Sequence, residues 1–217
     1  MVAQITEGTA FDKHGRPFRR RNYVPGIAML AVLAVVSLLV WVIALSRPVD
    51  VVEAAPCNPP PAPADPNAAM PVLKPVPRTE MTDVMPAKLA DTRIRVLNAS
   101  GQGGQAAEVA GALRDLGFSE PDAANDPIYA TARLQCQGQI RFGPSGRAAA
   151  AALWLVAPCT ELYQDERSDD SVDLALGTDF TELTRSDDID AVLASLLPDA
   201  TQPADPALLS KIHTGTC

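Results

Sequence analysis

A long apolar run lies near the N-terminus of the chain. Asn22 to Ser46 carry no charged side chain, and the nineteen residues from Ile27 to Leu45 are apolar apart from Ser37. At a rise of about 1.5 Å per residue they form a helix of roughly 28 Å, close to the hydrocarbon thickness of a bilayer. A buried helix of a soluble domain is the alternative, but a chain of 217 residues offers too little protein to cover every face of it. The pattern predicts a transmembrane helix over residues 24–46, with Ile27 to Leu45 in the membrane.

The flanking charges predict the orientation of this helix. The tail of residues 1–23 carries five basic residues shortly before the helix, whereas the first charged residues after it are Arg47, Asp50 and Glu53. Because positive flanks stay in the cytoplasm, we expect the tail inside the cell membrane and the C-terminal part outside. A cleaved signal peptide is the alternative, since a small-residue stretch, Glu53 to Pro56, follows the run. The run exceeds the usual signal-peptide core of about 7 to 15 residues, which favours a retained anchor.

Proline dominates the next segment, residues 47–91. Ten prolines between Pro56 and Pro86 disfavour helix and sheet interiors and favour extended polyproline II structure. We expect a Pro-rich extracytoplasmic linker that holds a domain away from the bilayer. A Pro-rich ligand for an SH3-like partner is the alternative, although no specific docking motif marks it.

Regular patterns begin at Thr92. Residues 93–98 alternate polar and apolar, as in a strand with one buried face. A Gly-rich turn, Ser100 to Gly104, then leads into a helix over residues 105–116, which Gly117 ends. This is one strand-to-helix unit.

Further patterns predict the rest of the fold. The predicted helices cover residues 126–134, 147–157, 189–197 and 206–212. The predicted strands cover residues 139–143, 160–164 and 172–176. Together these elements predict an α/β (α+β) small domain over residues 92–180, with a mixed sheet of four or five strands packed by helices. A helical extension is expected over residues 181–217.

All four cysteines lie after the apolar run, which suits an oxidising compartment. They are Cys57, Cys136, Cys159 and Cys217. An even number predicts two disulfides, with three possible pairings. The preferred pairing joins Cys136 to Cys159 and Cys57 to Cys217. A zinc site is the alternative, but it requires closely spaced ligand pairs, which this sequence lacks, so no metal is expected.

Four motifs of the predicted domain resemble one known family. They are Val96 to Gly101, Leu116 to Phe118, Ile140 to Gly143 and Val172 to Phe180. In this order they resemble the LytR C-terminal (LytR_C) domain family, over about 90 residues from Thr92 to Phe180. With its basic tail, single span and Pro-rich linker, the chain is similar to stand-alone actinobacterial members. The resemblance implies a role in keeping the cell envelope intact.

Catalysis is not expected. In larger members of the family that it resembles, this domain is appended to LytR-CpsA-Psr phosphotransferases. Here only the linker lies between the span and Thr92, which leaves no room for the catalytic domain. The one histidine after the span, His213, is the only candidate base for a nucleophile, and the cysteines are expected to be oxidised. The carboxylates between Asp165 and Asp173 match no calcium-loop pattern. We predict no catalytic residues and no enzyme activity.

The Gly-rich turn is the candidate ligand site. Free N–H groups at the start of the following helix suit a phosphate or carboxylate of an envelope lipid or glycan. The candidate binding residues are Ser100, Gly101, Gly103, Gly104 and Arg141. Gly101, Gly103 and Ala106 also match the dinucleotide fingerprint in form, but the remaining strand-helix units of that fold are missing, and no cofactor is expected. The alternative is that the glycines only permit a tight turn.

The charge of the exported part bears on its partners. Residues 48–217 carry 12 Lys and Arg against 24 Asp and Glu, a net charge of -12, which argues against nucleic acid. We therefore predict a non-enzymatic, membrane-anchored extracytoplasmic protein that maintains envelope integrity as a protein-interaction module. The alternative is a binding module with a pocket for an envelope lipid or glycan precursor. An enlarged apolar cavity would favour the pocket, and an exposed apolar patch would favour protein interaction.

Overall fold

The computed structural model describes residues 23–46, 55–62 and 70–214. Helix α1, Val24–Ser46, belongs to one compact unit, and residues 51–217 form a second. The α1 segment Val24–Val42 is long and apolar enough, by length and composition, to cross a membrane. The predicted helix over residues 24–46 is thus confirmed as a helix.

The second unit alternates helices with strands. Its helices are α2 (Arg78–Met81), α3 (Gln105–Asp115), α4 (Arg147–Val156), α5 (Asp187–Ser195) and α6 (Pro206–His213). Its strands are β1 (Lys74–Pro75), β2 (Arg93–Asn98), β3 (Asp122–Asn125), β4 (Gly138–Phe142), β5 (Glu161–Gln164) and β6 (Ser171–Leu176). Short 3₁₀ turns lie at Leu89–Asp91 and Pro144–Gly146.

The strands form one mixed sheet in the order β1-β5-β4-β6-β2-β3. Strand β2 runs parallel to both β3 and β6, whereas β4 runs antiparallel to β6 and parallel to β5. The predicted mixed sheet is confirmed, but it has six strands among the described residues rather than four or five. The two extra strands, β1 and β3, form its edges.

One face of the sheet builds the main core. Even-numbered apolar residues of β2, β4 and β6 are buried together with the apolar stripe of α3 and the Ala-rich helix α4, whose residues from Ala149 to Val156 are all buried. Every second strand residue points to this face because side chains alternate along a strand. The odd-numbered residues of the same strands therefore lie on the opposite face, called here the second face, where a smaller buried cluster includes Leu97, Tyr129 and Ala175.

The structure contradicts one predicted helix and adds a strand just before it. Residues 126–134 form turns rather than a helix, because Asp126 Oδ1 accepts hydrogen bonds from the backbone N–H groups of Ile128 and Tyr129. Strand β3 was not predicted, since Asp122–Asn125 is short and fully exposed and gives no alternating pattern.

Part of the predicted linker is folded onto the domain. Strand β1, helix α2 and the turn at Leu89–Asp91 all lie between residues 70 and 91, and Met81 and Leu89 are fully buried in the main core. The backbone N–H of Val76 also donates to the carbonyl of Leu162. The prediction of an extended spacer is therefore wrong for residues 74–91.

The described disulfide joins Cys57 to Cys136, with Cα atoms 4.9 Å apart. Both preferred pairings are therefore wrong. The prolines around Cys57 let the chain run extended along the domain, where Cys57 N donates to Glu161 Oε1 and its sulfur reaches Cys136. Cys159 is also disulfide-bonded, and Cys217 lies outside the described residues.

Candidate functional site

A row of charged side chains crosses the second face of the sheet. The strand register places Arg95 of β2 beside Asp122 of β3 and Asp173 of β6, and it places Asp173 beside Arg141 of β4. Asp122, Arg95, Asp173 and Arg141 thus alternate in sign across four neighbouring strands; they are called here the charged row. Opposite charges directly across neighbouring strands attract each other.

Asp173 is the centre of this row. Its side chain is largely buried and forms a bidentate pair with Arg95, in which Nε donates to Oδ1 at 2.7 Å and Nη2 donates to Oδ2 at 2.9 Å. Arg167, from the loop before β6, donates to the same Oδ2 at 2.6 Å and also binds Asp165. Bidentate pairs of this kind fix the plane of both groups.

The loop of Arg167 approaches the sheet very closely. A Cβ on Gly143 would collide with the backbone carbonyl of Arg167, so this approach requires a glycine at the end of β4. Burial raises the pKa of the Asp165 carboxyl, but hydrogen bonds from Arg167 outweigh this and hold it below its usual value. Arg167 and Asp165 are thus both charged at neutral pH.

Arg141 lies deeper than its neighbours. Its side chain is 2% exposed and that of Asp126 is fully buried, with Nη1 of Arg141 2.9 Å from Oδ2 of Asp126. This is a close ion contact whose angle is not that of a directed hydrogen bond. Nε and Nη2 of Arg141 donate to Gln139 Oε1, and its guanidinium lies 5.8 Å from the ring centroid of Tyr129. Burying this charge is costly unless all these partners stay in place.

Residues 55–62 hold the loop that carries Asp126 and Tyr129. Asn58 accepts hydrogen bonds from the Tyr129 hydroxyl at its carbonyl and from the Gln135 N–H at its side chain. The Cys57–Cys136 disulfide closes the other end of the same loop. The segment from Asp126 to Cys136 is therefore fixed by polar contacts and a covalent bond.

A cavity of about 760 Å³ lies over the charged row; it is called here the sheet-face cavity. Its charged walls are Asp122, Arg95, Asp173, Arg141, Asp165 and Arg167. Its other walls are Ala62, Met70, Pro71, Leu97, Ala124, Asn125, Pro127, Ile128, Ala130 and Thr131. Roughly half of all the wall residues, charged and uncharged together, are apolar. The cavity therefore presents both hydrogen-bonding groups and hydrocarbon surface.

The Gly-rich turn lies beside a different cavity, of about 570 Å³. Gly101 and Gly103 line it, together with Arg133, whose Nε is 3.0 Å from where a Cβ on Gly101 would lie. Gly104 precedes α3 with φ +84° and no side-chain cap. The sequence prediction placed these glycines with Arg141, but Arg141 lines the sheet-face cavity instead.

Ser100 is engaged inside the turn. It is 1% exposed, and its hydroxyl lies within hydrogen-bond distance of Asn98 Oδ1 and Gln105 Oε1. Asn98 Oδ1 also accepts from the backbone N–H groups of Ser100 and Gly101. The Asn98 side chain thus already binds two of the backbone N–H groups that the sequence analysis proposed for an anion.

His213 is buried rather than available to a substrate. Its ring stacks on Trp154 with centroids 4.0 Å apart, and neither nitrogen makes a well-directed hydrogen bond within the described residues. Burial lowers the pKa of His213 to about 4, with the nearby Thr82 backbone opposing and Arg78 adding to this effect. His213 is therefore a neutral packing residue at physiological pH.

Of the charged residues that line the sheet-face cavity, the sequence analysis named only Arg141 as a site residue. It missed the other charged wall residues, Arg95, Asp122, Asp165, Arg167 and Asp173, and also Asp126 and Gln139, which hold Arg141 in place. Asp173 carried a readable signal, since it is the only charge within the apolar strand Val172 to Leu176. Buried charges require partners, and β2 supplies one at Arg95. Asp126 gave no such signal, because the turn that buries it follows an exposed strand.

Comparison with known protein families agrees with this architecture. The family model described as LytR cell envelope-related transcriptional attenuator, LytR_C, matches residues 91–180. A protein of Mycobacterium tuberculosis, the cell envelope integrity protein Cei, is 70% identical over 217 residues, all of both chains. This chain belongs to the LytR_C family.

A relative of known structure supports the fold. The crystal structure is of the soluble domain, residues 71–217, of a conserved hypothetical secreted protein from Mycobacterium marinum. It is 70% identical, covers 66% of this chain and 97% of its own, and matches with a TM-score of 0.66. The LytR_C match, residues 91–180, spans β2 to β6, and thus includes the whole charged row.

Proposed function

We propose that this chain is a membrane-anchored binding module of the cell envelope, without catalytic activity. Helix α1 anchors it, the basic tail of residues 1–23 stays in the cytoplasm, and the LytR_C domain lies outside. Three observations support this: the flanking charges, the disulfide between Cys57 and Cys136, which suits an oxidising compartment, and the name of its relative, a cell envelope integrity protein.

The charged row under the sheet-face cavity is the observation that carries the binding function. Charges such as Arg141 and Asp173 cost free energy to bury, and an apolar sheet face would be at least as stable. A row that is costly for folding, aligned beneath a cavity of about 760 Å³, is typical of a site kept for recognition. Envelope integrity then depends on the ligand that this cavity holds.

Protein interaction is the second candidate function, and strand β3 favours it. All four residues of Asp122–Asn125 are exposed, and within the described part of the chain β3 pairs with β2 alone. Its outer edge therefore presents backbone groups that a partner strand is able to pair with. This site uses the edge of the sheet, whereas the cavity uses its face.

Two neighbouring alanines on β3 allow the cavity to be tested separately from the rest of the domain. Ala123 and Ala124 are both exposed on β3, but their side chains point to opposite faces, and only Ala124 lines the sheet-face cavity. In a bacterium lacking its own copy, we expect the full chain carrying Ala124→Trp to fail to restore the envelope barrier, because the indole fills the cavity. Ethidium uptake by intact cells measures this.

The matched control is Ala123→Trp, which adds the same side chain to the same strand on the other face. It should restore the barrier as the unsubstituted chain does, at equal protein level in an immunoblot. Full restoration by Ala124→Trp would contradict the cavity as the functional site. Failure of both variants, with the protein present and folded, would instead favour the β3 edge as the site of interaction.

A further inference from the structure

We infer that the sheet-face cavity binds a neutral carbohydrate chain, recognised through the charged row. This inference rests on the proposed function, that the cavity is the ligand site, and it adds the chemical class of the ligand. Three properties of the walls lead to it: balanced charge, mixed hydrogen-bonding capacity and apolar surface between the polar groups.

The charges around the cavity balance. Three arginines and three aspartates line it, and the central pairs are already in contact, with Arg95 and Arg167 both on Asp173. An anionic ligand therefore meets no net positive field there. A ligand of either sign that paired with Arg167 or Asp173 would have to separate an existing ion pair and leave a largely buried charge without its partner. The charges thus disfavour phosphates and carboxylates as ligands, and they disfavour a cation at Asp173.

The same walls still offer donors and acceptors. Arg95 uses Nε and Nη2 for Asp173, and 52% of its side chain remains exposed, so its other N–H groups are open to a ligand. Asp122 is exposed and accepts, and Asn125 and Thr131 each donate and accept. A ligand rich in hydroxyl groups matches this mixture, because each hydroxyl both donates and accepts.

Apolar residues alternate with these polar groups. Leu97, Ala124 and Ile128 line the cavity among the charged side chains. Sugar rings present C–H faces beside their hydroxyls and fit such a surface, whereas an acyl chain would have to lie against the charged row. A volume of about 760 Å³ is within the range of ligand sites, about 300–1,000 Å³.

The position of the cavity disfavours a peptide strand as its ligand. Peptides that add to a sheet pair with the backbone of a strand edge, whereas side chains on one face of β2, β3, β4 and β6 line the cavity. The cavity therefore recognises side groups of a ligand rather than a peptide backbone.

Binding of the full chain in detergent micelles to a glycan panel tests this inference. The panel holds neutral oligosaccharides of hexoses, pentoses and N-acetylated hexosamines, with oligogalacturonates and inorganic phosphate as charged counterparts. We expect at least one neutral oligosaccharide to bind, with affinity unchanged between about 50 mM and about 500 mM NaCl, because no net charge is neutralised. Ala124→Trp should weaken that binding about tenfold or more, and Ala123→Trp should leave it unchanged.

The outcomes separate the inference from the proposed function. Binding of oligogalacturonate or phosphate that is stronger than that of any neutral sugar, and that falls with salt, would overturn the neutral class. No binding by any neutral member at millimolar concentration would overturn it as well. If Ala124→Trp still abolishes the envelope barrier in either case, the cavity remains the functional site and only the ligand class is wrong. If Ala124→Trp restores the barrier, the proposed site falls too.

Discussion

Replacing Arg141 with methionine is expected to lower the free energy of unfolding by about 3–5 kcal/mol. The substitution leaves the fully buried Asp126 carboxylate without its cationic partner and Gln139 Oε1 without two donors. Urea unfolding of the full chain in detergent measures the loss. A Trp41→Phe background leaves Trp154, the other of the two tryptophans, as the fluorescent probe of the domain.

Arg93→Met is the control for Arg141→Met. Arg93 pairs with Asp170 at 3.6 Å, but both side chains are at least half exposed, so its loss should change stability by no more than about 1 kcal/mol. Adding Asp126→Asn to Arg141→Met should recover part of the loss, because the uncompensated charge is then gone. A loss for Arg141→Met as small as that for Arg93→Met would contradict the buried ion pair.

The Cys57→Ser substitution is expected to lower the free energy of unfolding by about 4 kcal/mol. The disulfide closes a loop with a sequence separation of 79, for which the loss of chain entropy in the unfolded state is worth about 4.5 kcal/mol. Residues 71–217 of the relative form a soluble domain, so we expect a folded but less stable protein. The same urea titration, without reductant, measures this.

A double-mutant cycle is the control for the disulfide. Cys136→Ser and the Cys57→Ser/Cys136→Ser double variant should each cost about as much as Cys57→Ser, since one bond is lost in all three. Substitution leaves the bond at Cys159 intact, which a chemical reductant would not. Additive losses in the double variant would mean that the two cysteines act separately, against the observed pairing.

The sequence predicts the strands and helices that carry a clear period. Strand β2, at Arg93–Asn98, alternates exposed and buried residues over its first four positions, and helix α3 has one apolar stripe and ends near Gly117. The edge strands β1 and β3 were not predicted, because a two-residue strand beside prolines and a short exposed strand bury no regular set of side chains. These two strands form because their backbones pair with the neighbouring strands β5 and β2.

The candidate site depends on contacts that are distant in sequence. The sequence predicts that Arg95 and Arg141 lie in strands. It does not predict that β6 lies between these strands and brings Asp173 into contact with Arg95. That strand order is set by the packing of the whole sheet and not by any local pattern. The disulfide pairing is of the same kind, since spacing alone permits three pairings and the folded linker selects Cys57 with Cys136.

Photo-crosslinking in intact cells tests whether the sheet-face cavity holds an envelope ligand. The full chain carries benzoylphenylalanine in place of Ala124, or in place of Ala123 as the control, and intact cells are irradiated before mass analysis of the purified protein. We expect a carbohydrate adduct at position 124 and none at position 123. An empty position 124, or the same adducts at both positions, would contradict it.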